Sequence, residues 1–509
     1  MVPVLPGVLM RRFSAAAVVV FWAVALAGAW APVRAAVIGA GSAGGASSGA
    51  AAASGWGRAR QVPGLAALTG GTGDSGLTAV SCASPGECSG GGFFNPPGQP
   101  LVSQAFLVSQ VNGAWSDALA VPGLAALNMG GSAEVVSVSC AAPGDCSAGG
   151  YFASGRGSGG VLMITAFVVS QVNGTWGTAQ QVPGLAALNT GQDAKISSVS
   201  CASPGNCSAG GFYGVPSGSS CCTPHAFVVS EVKGKWGRAH PVPGMTAVGQ
   251  VSCASAGNCG AAGGGLVVSQ VNGSWGRPAR VTGPTSRFGK VTITVVSCAA
   301  PGNCSAAGYH QGRNARGIRA AHTVVVSQVN GKWGTARELA GTVGLTRSGR
   351  SFPASLSCAA AGSCVLGGQG EWQAAAGSST RLFAVAYTAI QRKGTWGRAM
   401  PVQGLATLSK HGFSVITSVS CARPGACAVA GRYSTTDYNP DGSGPSQAFV
   451  ISRRSGAWTA PHVVTGTLNN DGSAAITAVS CPAADRCTAA GYYWSLQQQR
   501  GFVASQVPA

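Results

Sequence analysis

Residues 135–152, VVSVSCAAPGDCSAGGYF, and residues 166–185, AFVVSQVNGTWGTAQQVPGL, form one unit that the rest of the chain repeats. Its first constant is a cysteine pair spaced C-x5-C: Cys82/Cys88, Cys140/Cys146, Cys201/Cys207, Cys253/Cys259, Cys298/Cys304, Cys358/Cys364, Cys421/Cys427 and Cys481/Cys487. Successive pairs stand about 57 residues apart, a period that announces a solenoid, a propeller or an array. The second constant is a tryptophan, at Trp56, Trp115, Trp176, Trp236, Trp275, Trp333, Trp396 and Trp458.

One unit reads as four short strands, A to D. VVSVSC is rich in β-branched residues and breaks at Pro143-Gly144; CSAGGYF returns, so the two cysteines face each other across a hairpin. AFVVSQV is apolar over most of its length, as a strand buried on both faces would be. Asn173-Gly174 is the favoured pair for a type I′ turn, and TWGTAQQV follows as strand D until Pro183-Gly184. Strands A and B carry mainly small residues, whereas C and D carry Phe, Val and Trp. Each unit is therefore thin at one edge and thick at the other, and wedges stacked side by side close into a ring. The expected fold is all-β, an eight-bladed β-propeller of four-stranded blades. WGRARQVPGL, from Trp56, is a strand D with nothing before it, and the chain ends on A, B and C without D. The N-terminal strand is thus expected to complete the last blade.

Ahead of the repeats, Arg11-Arg12 precedes an apolar run from Phe13 to Ala29, and Val33-Arg34-Ala35 resembles a cleavage site. Residues 1–35 read as a secretory signal peptide, with an uncleaved membrane anchor as the alternative. Residues 36–55, almost wholly Ala, Gly and Ser, read as a flexible spacer, and residues 56–509 as the propeller. Export makes disulfides the natural state of the eight pairs, which use 16 of the 18 cysteines. Zinc would need four converging ligands, which pairs on different blades do not provide. Cys221 and Cys222 stand outside the scheme, as a local bridge, an exposed vicinal pair or an intermolecular link.

With its repeats reading S-x-S-C…C-x-A-x-G…G-x-W, the chain resembles secreted bacterial β-propeller repeat proteins of actinobacterial type from Trp56 to Ala509. It is more distantly similar to the Asp-box repeats of sialidase-type propellers: Ser170, Asn173, Gly174 and Trp176 are in place, but the Asp is missing. The resemblance implies a related fold, and sialidase chemistry is not inherited.

In a propeller the A–B and C–D turns share one face, and the B–C and D–A connections share the other. Here the first face is monotonous, made of disulfide hairpins and Asn-Gly turns, and the second varies, from Gly263-Gly264-Gly265 to the 15-residue stretch Tyr309–Thr323. Variable loops on a rigid scaffold are where binding usually resides. The net charge is +19, or +16 without Arg11, Arg12 and Arg34, which favours anionic neighbours such as a wall polymer, an acidic glycan or a lipid surface. Nucleic acid fits the sign, but interleaved basic and aromatic runs are missing. The expected ligand-binding residues are Arg313, Arg316, Arg319, His310 and His322 of the variable stretch, with Lys290 and Arg350 from neighbouring D–A connections. The expected partner is an anionic polymer, a glycan or a surface protein, met by a secreted or surface-tethered monomer with no membrane span after leader cleavage.

Catalysis has thin support. Glycoside hydrolysis asks for two carboxylates at a defined separation, and the chain holds only 13 Asp and Glu. Asp74, Glu134, Asp193 and Asp471 form an acidic group at the opposite side of the channel mouth. A carbohydrate-active hydrolase or lyase using them is the alternative function, and they could equally bind Ca2+. His225, His240, His310, His322, His411 and His462 share no repeat position and read as surface residues. No cofactor motif, nucleophile elbow or metal motif is present.

Overall fold

A computed structural model describes residues 55–507, apart from 218–219, 284–287, 314–318, 347–349, 377–378, 410–411, 437–443, 467–472 and 496. The expected leader and nearly all of the spacer lie outside the described residues, as do Arg316, His411 and Asp471. The same holds for the side chains of Cys221, Lys290, Arg313 and Arg319.

The repeats form successive antiparallel sheets with strand order A-B-C-D, the fifth and sixth joined by one parallel pair, Ala321 to Arg350. In the second unit, strand A is Ala133–Ala142, B is Asp145–Arg156 and C is Leu162–Val172. The cysteines of the pair are directly opposite in register, Cys140 to Cys146, and all eight C-x5-C pairs are disulfide-bonded. Asn173 and Gly174 both take positive φ, 47° and 83°, as a type I′ turn requires. Strand C is buried on both faces: Ala166, Phe167, Val168 and Val169 are at most 1% exposed.

The disulfides are more than staples of the hairpin turns on the monotonous face, where the sequence places them. The second cysteine of every pair, Cys88, Cys146, Cys207, Cys259, Cys304, Cys364, Cys427 and Cys487, is only 2–6% exposed. Each of them packs in the apolar core between neighbouring sheets. The cause is the register: a strand-B residue paired with the first cysteine points its side chain at the adjoining unit. Cys146, Cys207 and Cys259 accordingly bring Sγ to 3.3–3.5 Å from a serine hydroxyl of the preceding unit, and Cys88 Sγ lies 3.8 Å from Thr488 Oγ1. These pairs are therefore part of the core that joins neighbouring sheets.

Strand D departs from the expected continuous strand. It is split into Thr175–Trp176 and Gln180–Gln181, both paired with strand C. Between them the Gly177 N–H donates to Ser170 O, and the Ala179 N–H donates to Pro122 O of the preceding unit, so the chain leaves the sheet to bond its neighbour. A four-residue helix follows at Leu124–Leu127, Leu185–Leu188 and Leu405–Leu408, and at Leu65–Leu68. Each starts after a glycine at φ near +75° to +84°. A Cβ at Gly64 would also lie 2.7 Å from Ala118 N, so this position needs glycine for conformation and for space.

The core lies between sheets rather than within one. Trp176, Phe167, Val135 and Phe152 of the second unit pack with Leu107 and Val121 of the first, and each later pair of neighbouring units builds an equivalent cluster. Leu77 and Phe106 of the first unit pack with Ala490 and Val503 of the eighth. Strand A of each unit lies beside strand A of the next, and that of the eighth beside that of the first. The serine before each first cysteine ties them together, its Oγ accepting the N–H of the next unit's first cysteine: Ser81 from Cys140, Ser139 from Cys201, and onward. At the N-terminus, Arg60–Gln61 pairs antiparallel with Gln498–Ser505, and Trp56 bridges Gln506. This is a β-propeller architecture: four-stranded sheets packed face to face, with small inner strands.

Candidate functional site

The two faces differ as expected. On the first, the glycine of each C–D turn donates its N–H to the glycine carbonyl of the A–B turn, as Gly113 does to Gly86 at 3.0 Å and Gly174 to Gly144 at 2.9 Å. Turn is locked to turn, and little varies. On the second, strand C starts beside the D–A connection of the next unit, through parallel bridges Ile164 to Asp193, Ala384 to Phe413 and Ser446 to Ser473, and the pair Ala321 to Arg350.

At this second end, in five of the units the residue six before the first cysteine faces an aromatic residue on strand B. Gly76 pairs with Phe93, Glu134 with Tyr151, Lys195 with Phe212, Thr292 with Tyr309 and Ala475 with Tyr492. The aromatic follows directly on a glycine, a repeated signal that sequence reasoning passed over. Glu134 and Lys195 occupy the same repeat position on neighbouring units, and the structure joins them. The Tyr151 hydroxyl donates to Glu134 Oε2 at 3.1 Å, and Lys195 Nζ lies 4.0 Å from the centre of the Tyr151 ring, a cation–π contact. Burial raises the Glu134 and Asp193 carboxyls above the usual range, against the opposing pull of Lys195. It lowers Lys195, against the pull of Asp193 and Glu134, and raises the Tyr151 phenol, which Glu134 raises further. Two members of the expected acidic group thus share one lysine that sequence reasoning did not include. Asp74 is placed apart from them, its Oδ1 accepting the N–H of Gln499 at 2.8 Å. Asp471 lies outside the described residues.

The stretch Tyr309–Thr323, expected as a loop, is largely strand. B (Asn303–Arg313) and C (Arg319–Val329) run on as a hairpin, pairing His310 with His322 and Arg313 with Arg319. Lys290 lies in strand A of the same sheet, next to Val291, the partner of His310. Arg350 pairs with Ala321 and is exposed, its guanidinium 5.6 Å from the Phe352 ring. The backbone therefore gathers these basic positions at one corner, where Glu371 also stands opposite Arg350.

His310 and His322, expected at the surface, are instead buried, at 1% and 8% exposed. Their rings stack at 5.2 Å and 2°, because a cross-strand pair at this register points into the space between sheets. Glu338 from strand D joins them, Oε1 at 2.8 Å from His310 Nε2 and Oε2 at 3.8 Å from His322 Nδ1. These three side chains offer donor atoms within 4.8 Å of one another, a set of two imidazoles and one carboxylate of the kind that can hold a divalent ion. Of the remaining histidines, His225 and His462 are half-buried and His240 is exposed. In the third unit, Cys222 Sγ lies 3.0 Å from Gly191 O.

No protein family and no curated protein matches the chain by sequence. Solved structures of β-propeller type resemble it in outline. YCF48 bound to D1 peptide aligns at 12% identity and a TM-score of 0.37 over 74% of this chain and 93% of its own. A polysaccharide lyase of family PL25, an ulvan lyase, aligns at 11% and 0.39 over 88% and 96%. A Trypanosoma rangeli sialidase aligns at 13% and 0.31 over 71% and 52%. At this level of likeness no chemistry transfers.

Proposed function

We propose that this chain is an exported eight-bladed β-propeller, closed by its N-terminal strand, that binds an anionic or carbohydrate ligand through its B–C and D–A face without acting on it. Closure is supported by the pairing of residues 60–61 with the last strand and by the shared core of the first and eighth units. An oxidising, extracytoplasmic setting is supported by the eight disulfides. One observation carries the binding reading: at a single repeat position the second face offers Glu134, Lys195, Thr292 and Phe352, while the first face repeats one locked turn. The ligand side of the reading rests on Lys195, Tyr151 and Arg350, with Lys290, Arg313, Arg316 and Arg319 as the basic corner.

One observation favours an enzyme instead. Burial holds the Glu134 carboxyl toward its protonated form, as a general acid requires, and Asp193 flanks the same lysine. Glycan-array binding of the purified protein, with uronic-acid, sulfated and neutral glycans, separates the readings. Retention of an acidic or neutral glycan without release of new reducing ends supports the binding protein. Turnover that is lost in Glu134→Gln supports the enzyme. Absence of any glycan or anionic-polymer binding overturns both.

A further inference from the structure

We infer that the junction between the sixth and seventh units, on the opposite, disulfide-turn face, is a second binding site, for an oxyanion carried on a small carbon skeleton. The inference starts from how several other junctions are closed. In the second unit, the strand-C glutamine Gln171 donates through Nε2 to Gly174 O at 3.0 Å and to Ser109 Oγ of the preceding unit at 3.1 Å. Its Oε1 accepts from Ser89 Oγ of that unit at 3.3 Å. Gln270 and Gln391 repeat all three contacts with Gly273, Ser230 and Ser208, and with Gly394, Ser327 and Ser305. Even Glu231, buried at the same position in the third unit, accepts from the two serines it meets, Ser170 at 2.6 Å and Ser147 at 2.9 Å.

At the sixth-to-seventh junction all three members of this clamp are replaced. The glutamine is Arg453, and the serines it would meet are Ile390 and Val365. A guanidinium, donor-only and permanently charged, is thereby given two hydrocarbon walls in place of two hydroxyls. Arg453 is 5% exposed, and its Nε has no hydrogen-bond partner. No carboxylate among the described residues reaches its guanidinium. Arg392, of like sign and at the exposed rim, opposes its charge further. The Trp458 ring, 5.9 Å from the guanidinium carbon, flanks it. Instead of a closed clamp there is a crevice of about 340 Å³, lined by Val365, Ile390, Arg392, Gly425, Arg453 and Gly456. The turn beside it is looser than the others described: Gly456 N to Gly425 O is 3.3 Å, against 2.8–3.0 Å elsewhere.

A buried charge is retained when something pairs it, and two arginines converging on one crevice fit an anion with acceptor oxygens for their planar forks. The crevice is larger than a lone oxyanion needs, and Val365 and Ile390 give the surplus an apolar wall. The ligand class is therefore a carboxylate, or a phosphate or sulfate ester, with a few carbon atoms behind the charged group.

The test is thermal shift and calorimetry of the purified protein at low ionic strength, with inorganic phosphate, inorganic sulfate and glucuronate as separate probes. Saturable stabilisation by at least one of them is expected, with affinity falling at least tenfold in Arg453→Gln and several-fold in Arg392→Ser. The double variant Ile390→Ser/Arg453→Gln rebuilds most of the clamp. It should fold, melt at or above the wild-type temperature without ligand, and lose the anion response. A wild-type protein that gains no stability from any probe overturns the site, as does an anion response unchanged in Arg453→Gln. Substitutions at Arg313 and Arg319, on the other face, should leave this response intact, so the fate of this site is separable from that of the proposed ligand face.

Discussion

Ser480 Oγ accepts the backbone N–H of Cys82 at 2.9 Å, a contact between residues 398 apart in the chain. It is the same contact that Ser200 makes with Cys253, 53 residues on. If the first and eighth units are neighbours in a closed ring, the two bonds are equivalent. Ser480→Ala and Ser200→Ala should then each lower unfolding free energy by about 1 kcal/mol, the usual net worth of such a bond. Denaturant titration of the two variants checks this. A silent Ser480→Ala beside a destabilising Ser200→Ala would count against closure.

Deleting Trp56–Leu65 removes the strand paired with residues 502–503, the indole hydrogen bond from Trp56 Nε1 to Ser452 Oγ at 3.3 Å, and the fully buried Leu65. It exposes an unpaired strand edge on the eighth unit. The melting temperature should fall by several degrees and the truncated protein should self-associate more readily. Calorimetry and light scattering read both, and an unchanged melting temperature would refute the closure.

Glu134 supplies a pH dependence. Burial raises its folded pKa above that of an ordinary glutamate, so the fold favours the protonated acid. The stability linked to that proton is fully present below the unfolded pKa and is lost as pH rises through the folded pKa. Glu134→Gln keeps an acceptor for the Tyr151 hydroxyl and has no proton to lose. Its melting temperature should match the wild type at about pH 4, near the ordinary glutamate value, and exceed it at about pH 7. An advantage for the wild type at neutral pH would show that Lys195 outweighs the cost of burial.

For the basic corner, the triple variant Arg313→Ser, Arg316→Ser and Arg319→Ser should bind an acidic glycan or anionic polymer at least tenfold more weakly at low salt. Its affinity should also depend less steeply on ionic strength, because fewer charges remain to be screened. Melting temperature should hold, since Arg313 and Arg319 pair at the far end of the B–C hairpin, away from the apolar clusters between sheets. Unchanged binding would move the site toward Lys195, Tyr151 and Glu134.

The repeat unit was legible because its determinants are local. The C-x5-C spacing, the Asn-Gly pairs and the apolar strand-C runs act within about a dozen residues, and each placed its hairpin correctly. What lay beyond the hairpin was not legible. The spacing of Cys201 and Cys207 implies a bridge, but the burial of Cys207 against Ser147 of the preceding unit depends on how the sheets stack. Strand D was read too simply: the Ala179 N–H that leaves the sheet bonds Pro122 of the preceding unit, a partner that no local pattern names. The histidines were misread for the same reason. A lone His310 and a lone His322 carry no motif, and only pairing across one hairpin, with Glu338 arriving from strand D, makes them a cluster.

The amino-acid sequence by itself determined the repeat unit and its disulfides, since turn chemistry and cysteine spacing are properties of short stretches. Only the tertiary structure decided which chemistry meets at each junction. Glu134 and Lys195 share a repeat position and read as unrelated charges until adjacent sheets bring them to one tyrosine. Arg453 carries no local signal of its surroundings, and only packing shows that Ile390 and Val365 take the places of the two serines met by Gln171 and Gln391. Contacts between units are set by side chains that stand about 45 residues or more apart, and their register follows from how sheets pack, which a local pattern does not encode.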